Sequence, residues 1–192
     1  MESKDHAPPL PISAVNHISL LCSSVEKSLD FYESVLGFVP IKRPGSFDFD
    51  GAWLFNYGFG IHLVESPQAA QLPKKGDLDP KDYHMSFQTA CQDVDEIEEC
   101  LKKLEVRYKR IQVEENGILV DQVFFNDPDG FMIEVCTCDN LPLVPLKPAP
   151  NTLLKGHHKQ SSFVCSQQYA RGGPSSAAVC SNSATELHET TL

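Results

Sequence analysis

The sequence predicts an α+β fold made of two paired βαβββ modules, followed by a disordered C-terminal tail. Three observations predict it. Strand-like segments that carry a histidine at the same place, His17 and His84, begin the two halves of the chain 67 residues apart. Two basic motifs, which end at Arg43 and Arg110, repeat at the same spacing. From residue 147 onward the hydrophobic periodicity is lost, which indicates a segment that cannot bury enough apolar surface to fold.

The predicted elements follow in the same order in both halves. In the first half, "VNHISLLC" alternates as a strand, "SVEKSLDFYESVLGF" has a helical hydrophobic period, and "VPIKR", "GAWLFNYG" and "FGIHLVES" are strand-like. The corresponding segments of the second half are "DYHMSFQT", "DVDEIEECLKKLEV", "RYKR", "LVDQVFFNDPDG" and "FMIEVCT". We expect Ser23 or Ser24 and Asp93 to be the helix N-caps, and Gly37 to end the first helix in a left-handed conformation.

These elements define one domain, residues 12–146. Its two modules are predicted at about 12–70 and 80–140. A flexible N-terminal arm, residues 1–11, precedes the domain, and the disordered tail, residues 147–192, follows it.

Charge and composition limit the class of partner and compartment. The formal net charge is −10, and no basic stripe interrupts it, so we expect neither nucleic acid nor a membrane surface as a partner. No apolar run approaches the roughly 20 residues of a membrane-spanning helix, and the first residues do not resemble a secretory signal. Seven cysteines without paired zinc-type spacing favour reduced thiols and a cytoplasmic location, with a structural role for Cys136 and Cys138.

Four polar residues fall in register when the modules are aligned. His17 and His84 share a position on the first strands, and His62 and Glu134 share one on the last. A single strand histidine is more often part of the core, and a strand glutamate usually faces solvent. If the sheets curl around a common cleft, however, three imidazoles and one carboxylate can converge on Zn, Fe, Ni, Co or Mn. An inward-facing Glu134 would also need a partner for its charge.

The segments "NHISLLCSSVEKSLDFYESVLGF", "YHMSFQ" and "NDPDGFMIEV" resemble the vicinal oxygen chelate (VOC) superfamily, and the general pattern is closest to plant glyoxalase I-like proteins of the lactoylglutathione lyase family. The resemblance covers about residues 12–140. It implies a metal-lined cleft, often completed by a second subunit, in which a divalent ion chelates two neighbouring oxygens of a small-molecule substrate. For glyoxalase I that substrate is the hemithioacetal of methylglyoxal and glutathione. A carboxylate moves a proton between its adjacent carbons.

Carried over by position, the resemblance implies four metal ligands: His17, His62, His84 and Glu134. It makes Glu134 the catalytic base, suggests a homodimer, and leaves the ion open among Zn, Ni, Mn, Fe, Co and Mg. Two positions differ from the family pattern. Short glyoxalase I enzymes carry a glutamate where this chain has His62, and an arginine that holds a glutathione carboxylate where it has Leu21.

Two alternatives remain open. His17, His84 and Glu134 form a two-histidine, one-carboxylate set that also suits thiol transfer to an epoxide or non-haem iron dioxygenase chemistry. The other alternative is a non-catalytic protein that holds a small apolar ligand in the cleft. Three aromatic residues would then line the ligand: Trp53, Phe55 and Phe124.

Overall fold

The computed structural model describes residues 10–69 and 77–146, which form two four-stranded sheets. The elements are β1 (His17–Cys22), α1 (Val25–Ser34), β2 (Val39–Ile41), β3 (Gly51–Asn56), β4 (Phe59–Glu65), β5 (His84–Gln88), α2 (Val94–Lys103), β6 (Tyr108–Glu115), β7 (Ile118–Asn126) and β8 (Met132–Cys136). The strand orders are β1-β4-β3-β2 and β5-β8-β7-β6. This shared order confirms the predicted α+β fold of two βαβββ modules. The tail predicted for residues 147–192, and most of the arm predicted for residues 1–11, lie outside the described residues.

The first sheet has one core face and one open face. β1 and β4 pair in parallel, while β3 pairs antiparallel with β2 and β4. Side chains alternate across these strands. The buried face consists of apolar residues: Leu20, Cys22, Leu54, Ile61 and Leu63. His17 and His62 lie on the other face.

Local capping explains where α1 begins and ends. The Ser24 hydroxyl accepts a hydrogen bond from the backbone N–H of Lys27 at 3.4 Å, so Ser24 is the N-cap. Gly37 has a φ of 69°, and the N–H of Phe38 donates to the Tyr32 carbonyl at 2.9 Å. This is the left-handed helix ending expected for Gly37.

The second sheet contains a longer hairpin than the sequence predicted. β6 extends to Glu115 and pairs with β7 along its whole length, so the strand predicted from "RYKR" continues well beyond that motif. Asn116 and Gly117 connect the strands with φ values of 53° and 80°. Positive φ at both central residues is typical of a type I′ turn, for which Asn-Gly is favoured.

Helix α2 is held to the second sheet by Arg110. Its guanidinium donates to Asp121 and Asp95 at 2.8 Å each, and to Glu98 at 2.9 Å. Asp93 immediately precedes the helix but makes no side-chain capping bond, because a short 3₁₀ turn, Cys91–Asp93, leads into the helix there. Asp93 therefore occupies the predicted N-cap position, but its side chain does not cap the helix.

The described chain divides into two compact units. One comprises the chain up to His84 together with Asn126–Ile133, and the other comprises Met85–Phe125 together with the chain from Glu134. The "DPDG" turn thus belongs to the same unit as α1. Tyr32 donates its hydroxyl to Asp127 at 3.0 Å within that unit.

No helix in the described part of the chain is long and apolar enough to cross a membrane.

Candidate metal centre

His17 and His62 lie against each other on the open face of the first sheet. His17 begins β1, and His62 is in the middle of β4, opposite Ser19. Their ring centroids are 3.8 Å apart, and the ring planes differ by 16°. Gly60 pairs with His17, and a Cβ there would approach the His17 Cβ to 3.3 Å. The glycine therefore leaves room for the paired imidazoles.

The opposite side of the His62 ring is covered by Trp53. Their centroids are 4.1 Å apart and the rings are parallel to within 1°. Burial is the main cause that lowers the pKa of His62, and electrostatic repulsion from His17 in its protonated form lowers it further. At neutral pH His62 is therefore in the uncharged form that can bind a metal.

Hydrogen bonds orient two of the predicted ligands. The Nδ1 of His84 is 2.7 Å from the Asp82 carbonyl oxygen, which can only accept, so this nitrogen carries the proton. The Nδ1 of His17 is 2.7 Å from the Asn16 side-chain oxygen, which favours the same tautomer. In both residues this leaves the Nε2 lone pair for coordination, a typical arrangement around metal-binding histidines.

Glu134 is buried and held by a glutamine. It lies in the middle of β8 with 4% of its surface exposed, which excludes the ordinary solvent-facing role for a strand glutamate. Its Oε1 accepts a hydrogen bond from Gln122 Nε2 at 2.5 Å. Gln122 was not among the predicted site residues, because its place opposite Glu134 on the neighbouring strand β7 is visible only in the structure.

Two cysteines lie beside Glu134. Cys136 and Cys138 form a disulfide, with Cα atoms 5.4 Å apart, a separation that is ordinary for such a bond. The expectation of reduced thiols is therefore wrong at this pair, because the chain turns directly after β8, where a 3₁₀ turn begins at Cys138 and brings its sulfur back to Cys136. The sulfur and carboxylate atoms of these three residues all lie within 4.8 Å of one another.

The structure brings together one pair of the predicted ligands directly, His17 with His62. His84 begins β5 and Glu134 lies in β8, and these strands are neighbours in the second sheet. Imidazole and carboxylate groups are donors of the type that holds a divalent transition ion.

The three aromatic residues predicted as cleft walls have different positions. Trp53 and Phe55 lie on the face of His62, since they alternate along β3 and Trp53 pairs with His62. Phe124 is 1% exposed and belongs to the core. Leu21 shares the face of His17 and is 52% exposed.

Comparisons with known proteins agree with this fold. The family model of the glyoxalase/bleomycin resistance protein/dioxygenase superfamily matches residues 14–135. Glyoxylase I 4 of Arabidopsis thaliana is 53% identical over 143 residues, which are 74% of this chain and 81% of the relative. A glyoxalase/dioxygenase structure from Nostoc punctiforme has a TM-score of 0.56 at 21% identity, covering 70% of this chain and 97% of its own. For the fosfomycin resistance protein FosX of Listeria monocytogenes the TM-score is 0.52 at 23% identity, with 66% and 92% covered.

Proposed function

Because this chain belongs to the glyoxalase/bleomycin resistance protein/dioxygenase superfamily, we propose that it is a metal-dependent, glyoxalase I-like lyase. Its substrate would be the hemithioacetal of methylglyoxal, a 2-oxoaldehyde, with a thiol such as glutathione. The observation that carries the proposal is the imidazole pair of His17 and His62, with ring centroids 3.8 Å apart. The 53% identity to a plant protein named Glyoxylase I 4 supports it.

The proposed metal ligands are His17, His62, His84 and Glu134, contributed by one chain or by the two chains of a homodimer. Three nitrogen donors and one oxygen donor suit Zn, Ni, Co, Fe or Mn better than Mg, which prefers oxygen. When bound, the ion would stabilise negative charge that develops on the substrate oxygens. We place this activity in the cytoplasm.

Glu134 is the proposed base. Its carboxylate takes the proton from the carbon that bears the sulfur and returns it to the adjacent carbon, while the hydroxyl proton of the first carbon passes to the ketone oxygen of the second. The hemithioacetal thereby becomes a lactoyl thioester without an external oxidant. Gln122 positions the carboxylate through its hydrogen bond to Oε1. Burial of Glu134 limits competing proton exchange with water.

One observation favours a second candidate. His17 and Trp53 cover both faces of the His62 ring, which suits a packed residue as well as a ligand. With His62 in a packing role, His17, His84 and Glu134 remain as a two-histidine, one-carboxylate set. That set is suited to thiol transfer or to non-haem iron dioxygenase chemistry.

Metal content and lyase activity test the proposal together. The full chain is loaded with Zn, Ni, Mn, Co or Mg, bound metal is quantified, and thioester formation from methylglyoxal and glutathione is followed. We expect His84→Ala to lose the metal, and Glu134→Gln to lower kcat by about 10²- to 10⁴-fold, the usual contribution of a general base. Tyr83→Ala, at the exposed neighbour of His84, is the control and should leave both unchanged.

The outcomes separate the candidates. Stoichiometric metal with no lactoyl thioester, and unchanged metal content in His62→Ala, would favour the second candidate. If bound metal is at background level and His84→Ala does not change it, both enzyme candidates are overturned. A non-catalytic ligand-binding protein is then favoured.

A further inference from the structure

Arg43 is fixed in place by two phenylalanines. It follows β2, and its guanidinium carbon lies 4.8 Å from the ring centroid of Phe47 and 4.7 Å from that of Phe49. Its Nη2 donates to the Phe49 carbonyl oxygen at 2.7 Å. Cation–π contacts on two rings and a backbone hydrogen bond hold the guanidinium in one orientation.

No carboxylate among the described residues pairs with Arg43. Within residues 10–69 and 77–146 it makes no ion pair, and its buried Nε has no hydrogen-bond acceptor. Nearby Asp48 and Asp50 are exposed and do not pair with it. Its counterpart in the second module, Arg110, donates to three carboxylates. A buried N–H without an acceptor is uncommon and costly, so the hydrogen-bonding capacity of Arg43 is not fully used within the described residues.

Stacked rings connect Arg43 to the histidine pair. The Phe47 ring lies 5.9 Å from Trp53, and Trp53 lies 4.1 Å from His62. These contacts place the Arg43 guanidinium no more than about 15 Å from the His62 ring, the length of about four to five extended residues. A small molecule with an extended acidic arm can therefore reach both groups.

We propose that Arg43 binds a carboxylate of the small molecule that occupies the histidine face, which makes carboxylate-bearing thiol adducts the preferred substrate class. A planar guanidinium binds a carboxylate through two parallel hydrogen bonds, and the fixed Arg43 presents its remaining N–H groups without further ordering. Leu21 on the same face supplies no charge for this purpose. This inference rests on the proposed function for the identity of the reacting group.

Trp53 makes the binding step measurable without turnover. It is the single tryptophan of the chain, so intrinsic fluorescence reports on the face between Arg43 and His62. The metal-loaded protein is titrated with S-methylglutathione and with its diethyl ester, which lacks free carboxylates. We expect the acid to bind at least tenfold more tightly than the ester. Added salt should weaken the binding of the acid and leave that of the ester unchanged.

Substitutions at two positions test whether Arg43 causes the preference for the acid over the ester. Arg43→Gln should reduce the affinity for the acid to that for the ester, while Arg43→Lys should keep part of the difference because it retains the charge. Lys42→Gln, an exposed neighbour with the same change in charge, is the matched control and should shift the affinity less than twofold. Thermal melting checks that each variant is folded.

The results that would contradict the role of Arg43 differ from those that would contradict the lyase activity. Equal affinity for acid and ester in the wild-type protein, or an acid preference that survives in folded Arg43→Gln, would overturn the proposal and leave Arg43 as a clamp for Phe47 and Phe49. His84→Ala should lose metal and lyase activity yet keep the acid preference. A failed metal site therefore does not remove the carboxylate site.

Discussion

The position of His62 between two rings determines its protonation. Burial disfavours the imidazolium, and the nearby charge of His17 adds to the effect, so the pKa of His62 lies below the ordinary value of 6.5. The folded protein therefore binds this proton less readily than the unfolded chain does. Stability from His62 is complete above the unfolded pKa and is lost as the pH falls through the lower folded value.

A titration followed by NMR tests this assignment. We expect the His62 ring signals to titrate at lower pH than those of a histidine in a short unstructured peptide, and His17→Gln to raise the pKa of His62 only in part, since burial by Trp53 remains. A His62 pKa equal to that of the peptide histidine in the metal-free protein would contradict the packing described for the three rings.

At the scale of elements, the "DPDG" turn is anchored to α1. The Tyr32 hydroxyl donates to Asp127 Oδ2 at 3.0 Å, and the backbone N–H groups of Asp129 and Phe131 donate to Oδ1 at 3.0 and 2.8 Å. Burial raises the pKa of Asp127, although these three bonds act in the opposite direction. The turn that leads into β8, and so to Glu134, thus depends on a helix 95 residues earlier in the chain.

The contribution of the Tyr32–Asp127 hydrogen bond to stability can be measured by removing the Tyr32 hydroxyl. Tyr32→Phe should lower the free energy of unfolding by about 1–3 kcal/mol, because it withdraws a donor from a buried carboxylate. Tyr57→Phe is the matched control, since its hydroxyl donates to the Leu36 carbonyl but the residue is 61% exposed. We expect the control to cost less than half as much in urea denaturation. Equal costs would show that the Tyr32 contact adds nothing specific.

Local patterns predicted the elements well, because their causes are local. Ser24 and Gly37 cap α1 through neighbours within a few residues, and the succession of elements along the chain follows from a repeat that is visible in the sequence. The support of Glu134 by Gln122 was not predictable in this way. It depends on which residues of two paired strands face each other, and periodicity alone does not give that register.

Contacts distant in sequence were missed for a related reason. Tyr32 and Asp127 each look ordinary in their own segments, and only the tertiary fold brings them together. The repeat also aligned Arg43 with Arg110, yet of these two only Arg110 has carboxylate partners among the described residues. The sequence placed the two basic motifs at equivalent positions. Their different side-chain partners were visible only in the structure.

At the scale of the whole molecule, the open face of the first sheet suggests self-association. Alternation and register place several exposed apolar side chains on the face of His17 and His62, with exposures of 43–60%: Leu21, Val39, Ile41 and Phe55. Monomeric proteins rarely expose large contiguous apolar surfaces. A second copy of the chain is the partner expected from the family resemblance, and it would withdraw this face from water.

Molar mass by light scattering tests the homodimer. We expect about twice the chain mass of 21.3 kDa, and a shift towards the monomer for Leu21→Glu, because the new carboxylate would be desolvated on association. Leu143→Glu, at a residue 57% exposed beyond the last strand, should leave the mass unchanged. A wild-type mass near 21.3 kDa at assay concentrations would exclude a metal centre shared between subunits. All four ligands would then have to come from one chain.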